Sequence, residues 1–125
     1  MEFADLNWLA IIVGTAAAFG LGMIWFSPMM FGKGWSTGSH NIRPPASPPV
    51  LAMVVQLFGT FALAMVIGMT ARTDALMTAI MAILAATLLI AGMDLFSQKS
   101  GRATLIDAGY IVASGALMIL AQGLF

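Results

Sequence analysis

The stretch from Val50 to Ala71, VLAMVVQLFGTFALAMVIGMTA, decides the fold: it runs 22 residues without one charged side chain. About 20 apolar residues, rising 1.5 Å each, cover the roughly 30 Å hydrocarbon core of a bilayer. No alternation of period two runs through it, so it reads as helix and not strand. Directly after it, Arg72-Thr73-Asp74 breaks the apolar run, and Ala75 to Met93 is again uncharged for 19 residues. Two long apolar segments three residues apart predict an antiparallel helical hairpin.

Two more such segments flank the hairpin. Leu6 to Phe26 is uncharged over 21 residues, and Ala108 to Phe125 over 18, with a start expected near Ala103. The predicted architecture is all-α, an integral-membrane antiparallel bundle of four transmembrane helices at about 6–26, 50–71, 75–93 and 103–125. It forms one membrane domain over residues 1–125, with a long loop at 27–49. A barrel is not expected, because the segments show no period-two alternation and one such chain could not close. In the loop, Pro44-Pro45 and Pro48-Pro49 favour extended backbone. Pro49 suits the first turn of the second span, with Ser47 as its expected cap. The first span has the length of a signal peptide, but Glu2 and Asp5 stand where such a peptide wants positive charge. It is therefore expected to be a retained helix.

The whole composition agrees. Hydrophobic residues make up 61% of the 125 and charged residues 8%, against about 25% charged in soluble domains. Net charge is zero, so no basic field points to nucleic acid. Cysteine is absent and His40 is the one histidine, which leaves no thiolate nucleophile and no histidine cluster for a metal. No cofactor is expected, and the eleven Met residues read as flexible packing and lipid contact.

Charge also orients the chain. Alternation of four spans puts loops one and three on one side, with Lys33, Arg43, Lys99 and Arg102, and leaves Arg72 on the other. Positive charge stays cytoplasmic, so both termini are expected outside the cytoplasm, in a multi-pass protein of a bacterial inner membrane. Small residues at spacing four offer packing lines on every span: Gly14-Ala18-Gly22, Thr60-Ala64-Gly68, Thr78-Ala82-Ala86 and Gly109-Ala113. Lipid supplies no hydrophobic drive between helices, so such close-packing faces must hold them.

Two motifs stand out. Trp25-Phe26-Ser27-Pro28-Met29-Met30-Phe31-Gly32-Lys33-Gly34-Trp35 lies where the first span ends. Its bland reading is an interfacial aromatic anchor with a helix stop, Lys33 reaching toward headgroups. Its sharper reading is a structured interfacial element, built from Trp25, Ser27, Pro28, Phe31, Gly32, Lys33 and Trp35, forming part of a binding surface. The second motif is Leu105-Ile106-Asp107-Ala108-Gly109-Tyr110, read with Asp94. Carboxylates at membrane helix ends are costly and usually paired. Alternation puts Asp94, Asp107, Gln56 and Tyr110 in the same leaflet as the Trp25 motif. Asp107 has three available partners: Lys99, Arg102, or backbone N–H groups freed near Pro28. It either pins the fourth helix or forms a proton, cation or substrate site.

These two motifs, with Asn7-Trp8-Leu9-Ala10, resemble the small bacterial and fungal membrane family catalogued as domain of unknown function seventeen sixty-one. The resemblance implies a four-helix integral membrane protein and brings no activity, cofactor or catalytic residue. Relatives often carry a histidine after the tyrosine of the second motif, where this chain has Ile111.

No Ser–His–Asp set and no phosphate-binding glycine loop stands in the sequence, so an enzyme is not expected. The expected function is that of a non-enzymatic membrane protein, an oligomer or an accessory subunit of a larger complex. Its partners would be the lipid bilayer and either further copies or another membrane protein. The alternative is a small dimeric transporter or channel component with a polar site near Asp94, Asp107 and Gln56. Four helices are too few for a two-repeat transporter in one chain.

Overall fold

The computed structural model describes residues 3–125; Glu2, used above to read the first span as retained, lies outside them. A 3-10 turn at Phe3–Asp5 precedes five helices: α1 (Trp8–Trp25), α2 (Gly32–Gly38), α3 (Val50–Arg72), α4 (Leu76–Phe96) and α5 (Gly101–Leu124). The described chain is all-helical, and α1, α3, α4 and α5 are each long and apolar enough to cross a bilayer.

Local chemistry sets the helix ends. The Asn7 side chain caps α1 by accepting from the Ala10 amide at 3.2 Å, and Ser100 caps α5 by accepting from Ala103 at 3.1 Å. Each satisfies one of the amides that a helix start leaves unpaired. After α3, Asp74 takes a left-handed φ of 51°, and the Ala75 amide reaches back to the Thr70 carbonyl at 2.9 Å. After α4, Gln98 does the same at 62°, and the Lys99 amide bonds the Asp94 carbonyl at 3.0 Å. Both are helix-stopping turns of the kind glycine usually makes, here made by polar residues.

The structure changes several expectations. Residues 27–49 are not one loop: α2 occupies Gly32–Gly38, in a segment whose three glycines and lack of apolar periodicity hide a helix. The third span runs three residues past Met93, so Asp94 lies inside α4 instead of in the following loop. Pro49 is the residue before the first turn of α3 and not in it, and no side chain caps that helix, Ser47 included.

α5 is the central element, in contact with α1, α2, α3 and α4. Ile11, Ile67 and Met118 are fully enclosed where α1, α3 and α5 meet, and Ala79 and Ile83 extend the core onto α4. On α1 and α3 the expected small-residue lines do face inward, with Gly14, Ala18, Thr60, Ala64 and Gly68 buried. On α4 the inward line is Ala79, Ile83 and Asp94, while Thr78 is exposed. A helix so rich in Ala offers small-residue spacing on several faces, and spacing alone does not choose among them.

Candidate functional site

One end of the bundle gathers five aromatic rings with Asp94, Lys99 and Asp107. The chain leaves α1 through a tight reversal. Ser27 ends the helix by donating its hydroxyl to the Ile24 carbonyl at 2.7 Å. The Met30 amide returns to the Ser27 carbonyl at 3.1 Å, closing a four-residue turn with Pro28 second, where its fixed φ belongs. The Gly32 amide shares that carbonyl at 2.9 Å. A Cβ on Gly32 would lie 2.5 Å from the Phe26 carbonyl oxygen and 2.8 Å from that of Ser27. Those neighbours are backbone, so the turn closes only with glycine there.

The reversal folds five aromatic rings together. Trp25 tilts against Phe31 with centroids 4.7 Å apart, Phe26 meets Tyr110 edge-on at 5.4 Å, and Phe26 meets Trp35 at 5.6 Å. Offset and edge-on pairs of this kind suit the ring quadrupoles. Two polar tips stitch α1 to α5. Trp25 Nε1 donates to the Ile106 carbonyl at 2.9 Å, and the Tyr110 hydroxyl donates to the Ala18 carbonyl at 2.7 Å. Glycine makes the second bond accessible: a Cβ on Gly22 would stand 2.8 Å from the Tyr110 oxygen.

Lys99 joins the carboxylates to this cluster. Its ammonium lies 3.3 Å from Asp107 Oδ2 and 3.6 Å from Asp94 Oδ1. It also sits 5.2 Å from the centroid of the Trp35 ring, in cation–π range. Asp94 is buried, with Oδ2 left without a hydrogen-bond partner, and the Lys99 side chain is 22% exposed. Of the partners open to Asp107 in the sequence, Lys99 is the one engaged. Arg102 instead lays its guanidinium across Gly34, where a Cβ would meet Nε at 2.6 Å.

The predicted residues divide accordingly. Asp94, Asp107, Tyr110, Trp25, Phe31 and Trp35 form one continuous cluster. Ser27, Pro28 and Gly32 build the turn that holds it. Lys33 is exposed beside Gly34 on α2. Gln56 is exposed on α3 and, among the described residues, makes no side-chain hydrogen bond to either carboxylate. Leaflet assignment gives a residue's height and leaves its helix face open, and the face turns Gln56 outward.

Sequence reading passed over Phe26 as the ring between Trp35 and Tyr110. It also passed over the docking of α2 and the residues after it on the α4–α5 connection, where the Gly38 carbonyl accepts the Ser100 amide at 2.9 Å and His40 Nε2 donates to the Ser97 carbonyl at 2.7 Å. The signal available was Gly34-xxx-Gly38, a close-packing pair outside any apolar span.

The family model described as "Protein of unknown function (DUF1761)" matches residues 9–123. The chain belongs to DUF1761. The match takes in the Trp25 turn, α2, the carboxylate pair and Tyr110, so the whole cluster lies within the DUF1761 region. No curated protein and no solved structure matches the chain.

Proposed function

We propose that this protein is a non-enzymatic membrane subunit that works by assembling inside the bilayer, through the first half of α3, with further copies of itself or with a larger membrane complex. One observation carries the reading. From Val50 to Gly59 every residue of α3 is exposed, on all faces of the helix, and Gln56 is among them. An amide side chain in an otherwise apolar free-standing stretch finds its hydrogen bonds on another helix. Gly59, one turn on, leaves open space where a Cβ would sit, which lets a second helix approach closely.

The geometry gives less support to ion transport. The ammonium of Lys99 already occupies the place between Asp94 and Asp107 where a carried cation would sit. Native mass spectrometry of the full chain, taken from its source membrane in mild detergent, tests the reading. A fixed stoichiometry is expected, weakened by Gln56→Leu. A bare monomer that supports cation or proton flux in vesicles would replace assembly with the transport alternative.

A further inference from the structure

A recess of about 300 Å³ opens between α2 and the first turn of α5, lined by Lys33, Gly34, Thr37, Gly38, Ser100 and Arg102. We propose that it binds the phosphate-bearing headgroup of an acidic phospholipid. Two cationic residues and two hydroxyl-bearing residues line a space whose lining holds no carboxylate. Among the described residues, neither Lys33 nor Arg102 has an ion-pair partner, because Asp94 and Asp107 are both taken by Lys99. The exposed Arg102 side chain lays its guanidinium against buried Gly34, in the gap that any Cβ at that position would fill. A planar guanidinium with an ammonium lining the same recess suits phosphate oxygens.

The surroundings favour a lipid over a free anion. The recess stands at the N-terminal end of α5, beside Trp35 on α2 and about one to two helical turns beyond the Trp25 ring, at the interfacial end of the span where headgroups lie in a bilayer. Below it on the same face of α5, at helical spacing from Arg102, Leu105, Val112 and Ala116 are exposed. That stripe gives an acyl chain an apolar path directly under the cationic recess. Basic pockets at this level of a membrane helix bundle suit acidic headgroups. The inference stands independently of assembly through α3.

The test uses the full chain in neutral detergent, titrated with phosphatidylglycerol, phosphatidylcholine and inorganic phosphate and read by native mass spectrometry. Phosphatidylglycerol should bind in preference to phosphatidylcholine. Lys33→Gln with Arg102→Gln should weaken it roughly thirty-fold, a factor of about five per cation. Arg43→Gln, which removes a cation outside the recess, should leave binding unchanged. Lys33→Gln alone removes an exposed side chain and carries the test, at about five-fold, should Arg102→Gln not fold. Equal binding of the two lipids, or variants that bind like the parent, would overturn the site. An equal loss in Arg43→Gln would reduce it to general charge attraction, and displacement by inorganic phosphate at lipid-like concentrations would overturn the lipid as its ligand.

Discussion

Lys99 is the residue on which the polar end of the bundle depends. It gives one ammonium to two carboxylates, and each carboxylate comes from a different helix, Asp94 from α4 and Asp107 from α5. Removing the ammonium leaves two like charges facing each other in a half-dry site, whereas removing one carboxylate leaves a matched pair. Lys99→Met is therefore expected to cost about 2–3 kcal/mol, below the range for a fully buried pair because the side chains are partly exposed. Asp94→Asn and Asp107→Asn should each cost about 1 kcal/mol, with no ion-coupled activity exposed. Thermal unfolding in detergent ranks the three, and an Asp→Asn change as severe as Lys99→Met would contradict the arrangement. The sequence showed Asp94, Lys99, Arg102 and Asp107 within fourteen residues. It could not choose between the two cations, because that choice depends on Gly34 on another helix drawing Arg102 away.

At the scale of elements, α2 is held by its seat on α5 and not by its own preference for helix. It is seven residues, GKGWSTG, with three glycines, and an isolated helix of that length and composition does not form in water. Its stability comes from close contact: a Cβ on Gly38 would lie 2.7 Å from Ala103 Cβ and nearer still to Ser100 Oγ. Gly38→Leu overpacks that contact by about 1–3 kcal/mol. Amide exchange in residues 32–38 is then expected to rise roughly tenfold or more, while the interiors of α1, α3 and α4 keep their protection. Equal protection in parent and variant would show that the seat contributes nothing. This element was illegible beforehand for a physical reason. Its signal is steric fit to a distant segment, and hydrophobic periodicity carries none of it. The four long helices show the converse case, since their length and freedom from charge were enough.

For the whole molecule, the distribution of positive charge predicts which way the bundle faces. Lys33, Arg43, Lys99 and Arg102 gather at one end, against Arg72 at the other, and positive charge is retained on the cytoplasmic side. Because the chain has no cysteine, single cysteines report the orientation directly. In intact cells a membrane-impermeant maleimide should label Thr73→Cys, and should label Ala46→Cys only after lysis. The opposite pattern would invert the chain and place the cationic recess in the outer leaflet, leaving the internal geometry as it is. The exposed first half of α3 belongs to the same scale, because no other element of the described chain packs against residues 50–59.

The sequence by itself determined the solvent, the number of long helices and the end of the bundle where polar groups collect. Each follows from local composition: an uncharged run of about twenty residues has one stable solution in lipid, and alternating spans must bring the Trp25 turn to the same end of the bundle as Asp107. Only the tertiary structure decided which side chains meet. Tyr110 reaches the Ala18 carbonyl across 92 positions, and Trp25 reaches the Ile106 carbonyl across 81. Arg102 lies on Gly34 while Lys99 takes both carboxylates. Such contacts are set by helix rotation and by where a missing Cβ lets a neighbour in, and in Ala- and Gly-rich helices several rotations satisfy the pattern equally well.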